Sequence, residues 1–488
     1  MPVNLPSMQT AESDQAARQA LAQKILEGSL AFGSGLAPVR QRDRRSLPLS
    51  SWQMHVWDQA QLAAKLSPGV QLFNESITVH YRGSLEVAVL KRALDEIVRR
   101  HEAWRTSFKL EEGGVREYVH HTAEMPLLVD DLRSLPLVER LSTATRLGTQ
   151  DAHEPFSLED GPLVKARLVQ LSDTEWRLLL TAHQIVLDGI SVYRVFLPEL
   201  TALYRAFSEN QPSPLRELPL QYSDYAVWEQ ERLAAGISRT GHQYWREQLQ
   251  SLPRLCFPTD RPRPAQRTFH GSVLPFSISR QTSDLAREFS RREGVTLFTT
   301  LLSVFFALLH SYTGQEDLVT GTVAPVRPRS ELQNLLGYFL NPVVLRLKMP
   351  NEATFAEILK RARRVLLEAM SYSDVPFDFL AQEIEPAFPL DRHPLYQVQI
   401  SLEPPLPALD EAWGLTPMDC ESGGAKLDLY MVFDDRPAGL IGRVQYNPDL
   451  FDKTTMERLV AHYTVLLQLA LTAPWQRLSA FPQFRLLN

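Results

Sequence analysis

The sequence predicts an α/β protein of two lobes, and three observations carry that expectation. From about residue 46 onward, strand-like and helix-like patterns alternate, the layout of a sheet covered by helices. A proline-rich stretch at 251–264 breaks the pattern, and the same order of elements resumes after it. At 488 residues the chain exceeds the usual size of one domain and is long enough for two packed units, each with a core of its own.

Residues 1–45 read as an N-terminal extension. Ala17, Leu21, Ile25 and Leu26 fall near helical spacing and predict a helix over 13–30, behind Ser13 or Asp14 as a cap. Such a helix serves as a strut on its own body or docks another protein; the strut is the commoner case. Arg40, Arg42, Arg44 and Arg45 follow in what reads as a solvated linker.

In the first lobe, 46–250, the segments 76–81 and 115–119 read as strands, and 85–101 and 137–149 as helices. The largely apolar run 175–182 suits a buried strand, and helical periodicity resumes over 190–208. The heptad between them, His183-Gln-Ile-Val-Leu-Asp-Gly189, therefore sits at a strand-to-helix junction, where reactive groups are commonly exposed. After the linker 251–264 comes a second lobe, 265–477, with 271–279 and 317–323 strand-like and 282–293 and 299–313 helical. No sequence repeat accompanies the repeated order. A cleft between two lobes is a usual place for a ligand site.

Composition excludes several classes. With 44% hydrophobic and 22% charged residues the chain is ordinary for a globular protein. A net charge of −6 supplies no basic field for nucleic acid. Cys256 and Cys420 are the only cysteines, far apart and in no ligand-like spacing, which argues against a disulfide framework or zinc site and fits a reducing cytoplasm. The N-terminus lacks a signal pattern, and the most apolar stretch, 295–309, is too short to span a bilayer. A cytoplasmic monomer with no membrane and no nucleic-acid partner is expected.

The heptad resembles the His-His-x-x-x-Asp-Gly signature of condensation domains from non-ribosomal peptide synthetases. His183 aligns with the first histidine and Asp188-Gly189 with the closing pair, while Gln184 stands where the family keeps its catalytic histidine. Other strings resemble the family in its own order: Leu47-Pro-Leu-Ser-Ser-Trp-Gln53, Arg100-His-Glu-Ala-Trp-Arg-Thr-Ser-Phe108, Tyr222-Ser-Asp-Tyr-Ala-Val-Trp228, Tyr244-Trp245 and Pro258-Thr-Asp-Arg-Pro-Arg-Pro264. In the second half come Val326-Arg-Pro-Arg329, Leu336-Gly-Tyr-Phe-Leu-Asn341, Asp374-Val-Pro-Phe-Asp378, Asp391-Arg-His-Pro-Leu395 and Tyr446-Asn-Pro-Asp-Leu-Phe451. Trp104, Val326 and Leu340 are departures from the family pattern.

The resemblance implies two chloramphenicol-acetyltransferase-like α/β lobes in a V-shaped pseudo-dimer around a central tunnel. It implies donor and acceptor carrier proteins as partners, presenting thioesters on 4'-phosphopantetheine from opposite faces, with neighbouring synthetase domains alongside and no cofactor bound by this chain. Residues 478–488 resemble the start of a linker toward an adenylation domain, as expected of an excised domain or a stand-alone one with a short tail. A free-standing acyltransferase of the same superfamily is the enzyme alternative.

The chemistry turns on Gln184. Aminolysis of a thioester needs a free amine and control of charge on the tetrahedral intermediate. An imidazole can take or share the amine's proton. A glutamine amide, neutral but both donor and acceptor, can only hold a group by hydrogen bonds. Losing a general base costs about 10²–10⁴-fold in rate. Three accounts follow: a working amide-forming domain in which Gln184 orients the acceptor, a converted binding platform for carrier proteins or a tailoring enzyme, and a competent domain into which Gln184 was introduced.

His183 reads as a packed structural imidazole, with a catalytic role as the alternative. Asp188, by the resemblance, makes a structural ion pair, with Arg105, Arg327 and Arg346 as candidate partners; Gly189 permits a tight turn. Ser191 and Asn341 are tunnel-lining substrate-binding groups by resemblance, or else helix-start and turn residues. His120-His121 reads as surface strand, and no metal is expected, since one histidine and one carboxylate make too few ligands.

Overall fold

The computed structural model describes residues 38–40, 46–236, 239–385, 391–407, 409–416, 420–482 and 484. The helix expected over 13–30, and Arg42, Arg44 and Arg45, lie outside the described residues. Arg40 lies inside them and donates to the Leu218 carbonyl at 3.2 Å.

The first lobe holds β1 (Leu47–Pro48), β2 (Asn74–Arg82), β3 (Thr106–Glu111), β4 (Gly114–Val119), β5 (Leu127–Asp131), β6 (Val164–Gln170) and β7 (Glu175–His183). β4 lies between β1 and β3 in a small antiparallel sheet, while β2, β7, β6 and β5 run in that order through the main one. β7 is apolar along most of its length because both its faces are covered. Leu178, Leu180 and Ala182 point into the main core, and Leu179 points into a satellite cluster with Val169, Leu171, Leu132 and Ala144 beneath the helix Leu137–His153. The helix Ser51–Leu66 starts from a capping box: Gln53 N–H donates to Ser50 Oγ, and Ser50 N–H donates to Gln53 Oε1.

The second half supplies β8 (Ser272–Ser277), β9 (Asp317–Pro325), β10 (Leu340–Lys348), β11 (Val398–Leu402), β12 (Trp413–Thr416), β13 (Leu429–Arg436) and β14 (Gly439–Tyr446). Six of these form one sheet in the order β10-β9-β11-β13-β14-β8. Its central helix, Leu297–Thr313, is buried at every position from Thr299 to Ser311, which explains why it is the most apolar stretch of the chain. Among the described residues no single helix is long and apolar enough to cross a membrane.

Two expectations need correction. The helix expected over 190–208 is not uniform: Gly189–Ser191 passes into a π-helical turn, Val192–Phe196, before α-geometry resumes over Leu197–Ser208. Pro198 lies just after that turn and has no N–H to give the ladder, so the register changes where a bond is missing anyway. Assigning all of 265–477 to one lobe is also incomplete. β12 leaves the second sheet and pairs antiparallel with β2, Trp413 opposite Tyr81. Val326, Leu332, Leu335, Leu336, Tyr338 and Phe339 likewise pack in the first lobe's core. Covering the outer edge of β2 removes an open row of backbone donors and acceptors.

Candidate active site

β7 delivers His183 to the edge of the junction, where it pairs with Asn74 at the start of β2. The chain then makes one tight turn, Gln184–Val186, and Asp188 caps the following helix. Gln184 N–H donates to the Phe73 carbonyl at 2.8 Å, fixing the turn against β2. From Thr181 to Asp188 every residue is buried except Gln184. The heptad therefore presents one polar side chain and hides the rest.

His183 is held neutral. Burial, reinforced by the positive charge of Lys426, pushes its imidazole down to about 3. Nδ1 accepts the Ile185 N–H at 3.3 Å, so the proton of the neutral ring sits on Nε2. An imidazole tied up in this way caps a turn.

Asp188 is fully engaged. Its Oδ1 accepts the Ser191 N–H at 2.6 Å, its Oδ2 accepts the Phe339 N–H at 2.9 Å, and Arg327 Nη2 lies 3.2 Å from both oxygens. Arg327 also donates from Nη1 to the carbonyls of Leu332 and Leu335, and its guanidinium lies 4.0 Å from the centre of the Phe339 ring. The side chains of Arg327 and Asp188 are 1% and 0% exposed; a pair this deeply buried stands only because nearly every polar atom has a partner. Of the three arginines considered for Asp188, Arg327 alone is in reach. Arg346 instead grips Asp317, at 2.9 and 2.7 Å, and the carbonyls of Gln248 and Gln250. Arg105 turns to Glu102, 3.4 Å away, and to the His120 carbonyl.

The two expected substrate-binding groups are also placed otherwise. Ser191 is fully buried; its hydroxyl donates to the Gly337 carbonyl at 2.9 Å and accepts from Arg327 at 2.7 Å. Asn341 uses its whole amide to hold the loop before the helix Phe377–Ile384: Nδ2 donates to the carbonyls of Ser373 and Val375, and Oδ1 accepts the Phe377 N–H. Among the described residues the polar atoms of both side chains have protein partners. His120-His121 lies just past the end of β4, with His120 Nε2 3.0 Å from Ser107 Oγ. Among the described residues no three metal-ligating side chains cluster.

Around Gln184 and Gly189 the structure gathers charges that sequence reasoning missed. Lys426 Nζ donates to Gln184 Oε1 at 2.5 Å and lies 3.3 Å from Glu75 Oε1. Burial pushes the Lys426 ammonium down, and Glu75 pulls it back up. A Cβ on Gly189 would stand 3.0 Å from Glu403 Oε2, so glycine here admits the carboxylate to the junction. Glu403 lies 3.5 Å from Arg443, and its carboxyl is pushed up by burial against that arginine's opposing pull. Tyr193 OH donates to Asp434, which Arg436 also binds.

A family model described as Condensation domain matches residues 43–482. The chain belongs to the condensation domain family. A linear gramicidin synthase of Brevibacillus parabrevis is 36% identical over 441 residues, 89% of this chain and 8% of that protein. Chondramide synthase cmdD of Chondromyces crocatus is 37% identical over 434 residues, 88% of this chain and 11% of that one. The chain thus spans about a tenth of the length of these relatives. Among solved structures, the X-domain from teicoplanin biosynthesis is 26% identical with a TM-score of 0.78, covering 92% of this chain and 100% of that one. The first condensation domain of the calcium-dependent antibiotic synthetase, in complex with a substrate analogue, has a TM-score of 0.79 at 20% identity, covering 90% and 99%, and shows the two-lobed fold alone.

Several strings of the condensation domain now have physical content. Ser50 and Gln53 form the helix cap, and Gln53 Nε2 also reaches the Ile185 carbonyl at 3.4 Å. Arg100 and His101 share Glu199, and His101 Nδ1 accepts the Leu336 N–H at 3.2 Å. These groups hold the frame on which Gln184 stands. Lys426, Glu75, Glu403 and Arg443 went unseen because they lie on separate elements of both halves, and no spacing along the chain links them.

Proposed function

We propose that the chain is an amide-forming condensation domain of a non-ribosomal peptide or hybrid polyketide-peptide assembly line, slowed by Gln184. One observation carries this reading: a junction whose frame is locked by the Asp188–Arg327 pair offers a single partly exposed polar side chain at the family's catalytic position. The substrates would be a donor thioester and an amine acceptor, each on the 4'-phosphopantetheine arm of a carrier protein, with neighbouring synthetase domains supplying them. The domain would act as a cytoplasmic monomer.

In this reading the roles are divided. His183 and Asp188 cap the turn and the helix after it, Gly189 leaves room for the Glu403 carboxylate, and Gln184 faces the reacting groups. Neither His183 nor Gln184 is suited to take the amine's proton, the first because its basic nitrogen is occupied, the second because an amide is not basic. Reconstitution with loaded donor and acceptor carriers tests this directly, with carrier-bound product followed by mass spectrometry. Gln184→His is expected to raise product formation by about 10²–10⁴-fold; equal turnover by the two proteins would overturn the assignment of a lost base.

A second reading, a platform for carrier proteins or a tailoring enzyme, is favoured by the likeness to the teicoplanin X-domain, which has also been solved as a complex with OxyB. It predicts capture of a carrier or tailoring protein in pull-down and no product from the Gln184→His protein.

A further inference from the structure

Among the described residues the Gln184 side chain makes one hydrogen bond. Its Oε1 lies 2.5 Å from Lys426 Nζ. An ammonium has three donors and no acceptor, so the contact settles which end of the amide is which, a choice that shape alone leaves open. The oxygen faces the lysine; the NH₂ faces away. Among the described residues no hydrogen bond from Gln184 Nε2 is present, and the side chain is partly exposed. Two N–H donors of a partly exposed side chain are therefore left without an acceptor among the described residues.

Lys426 is itself well held. It lies 3.3 Å from Glu75 Oε1 and 4.9 Å from the centre of the Phe73 ring, a carboxylate and a π-face that both favour an ammonium. Ala425 N–H, one residue earlier, donates to the Phe269 carbonyl at 2.9 Å and fixes the backbone. Phe73 also accepts the Gln184 backbone N–H. The start of β2 thus anchors both the glutamine and the lysine that orients it, although Lys426 arrives from the segment between β12 and β13, in the other half of the chain.

We propose that Lys426 is a positioning residue that makes Gln184 a hydrogen-bond donor to the carbonyl oxygen of the donor thioester, an inference that rests on the amide-forming reading above. The glutamine then stabilises the oxyanion of the tetrahedral intermediate and takes no proton from the amine. The steps balance without a protein base. The amine lone pair forms the C–N bond as the carbonyl π pair moves onto oxygen. That pair re-forms C=O as the C–S bond breaks, and the proton from nitrogen ends on the departing sulfur, giving amide and thiol. A donor fixed before the charge develops costs no reorganisation at that moment.

Gln184→Glu separates this role from any proton-accepting one. It keeps the side-chain length and the contact with Lys426 and adds a base, but removes both N–H donors. Product formation in the reconstituted assay is expected to fall about 10²-fold in Gln184→Glu and in Gln184→Ala, the usual effect of deleting one oxyanion donor. Lys426→Met is expected to lower kcat by about tenfold with KM little changed, Lys426→Arg to restore most of it, and Lys426→Met to add no loss in the Gln184→Ala protein, whose amide is already gone. Gln184→Glu turnover equal to or above that of Gln184 would overturn the inference alone, as would additive losses in the double variant. No product from any protein, Gln184→His included, would end the amide-forming reading and this inference with it. A second measurement does not depend on turnover. In protein labelled with ¹⁵N-glutamine, the side-chain amide signal that disappears in Gln184→Ala is expected to shift in Lys426→Met; a signal that stays in place would show that the lysine does not orient the amide.

Discussion

Asp188 and Arg327 form the most deeply buried ion pair at the junction, and their value lies in mutual dependence. Removing the carboxylate leaves a buried guanidinium without its counter-ion, and it releases the N–H groups of Ser191 and Phe339. Asp188→Ala is expected to cost about 3–5 kcal/mol in urea denaturation. In a Gln184→His background, the molecules that remain folded should keep turnover within a few-fold. If turnover disappears from protein that still melts cooperatively, Asp188 has a direct part in the chemistry. The local placement of His183, Gln184 and Asp188 could be argued from one heptad, because a strand end, a turn and a helix cap are local structures. Which arginine meets Asp188 could not: Arg105, Arg327 and Arg346 all find partners, and only the folded chain decides which. For Ser191 and Asn341 the sequence left two readings open for the same reason, since a polar side chain near a motif is equally able to bond the backbone behind it.

Among the elements, the strands and helices with clear periods were legible from the sequence because each buries one face or two. β12 was not. It has four residues with a glycine among them, too short to show alternation. The segment 326–340 is aperiodic until its end, yet it carries Arg327 and Phe339 into the first lobe. Its conformation depends on Gly337, at φ +154°, where a Cβ would stand 2.0 Å from the ring of Tyr222. That ring has no room to move: its hydroxyl donates to the Tyr338 carbonyl and lies 2.8 Å from Ser50 Oγ. Gly337→Ala therefore combines a rare backbone angle with overpacking and is expected to cost about 2–5 kcal/mol, read as a lower denaturation midpoint. An unchanged midpoint would show that the crossing segment can shift without loss.

For the whole molecule, two large cores sit behind two sheets, and the chain crosses between them more than once. The first lobe's core contains side chains from both 326–340 and β12, so the first 250 residues do not complete it. Trp413 closes that core at the edge of β2, its ring 4.7 Å from that of Tyr81 and 5.5 Å from that of Tyr204. The lysine that meets Gln184 follows on the same crossing stretch. Stability and the candidate site therefore share one connection, and melting one lobe should strip the other of strand pairing and buried apolar area together. Calorimetry is expected to show a single transition in which calorimetric and van't Hoff enthalpies agree. Trp413→Ala removes a large buried side chain at a cost of about 3–5 kcal/mol and loosens the edge that joins the halves. It should lower the first lobe's melting temperature more than the second's and split the transition in two. Two well-separated transitions in the unaltered protein would mean that the crossing segments do not couple the unfolding of the lobes.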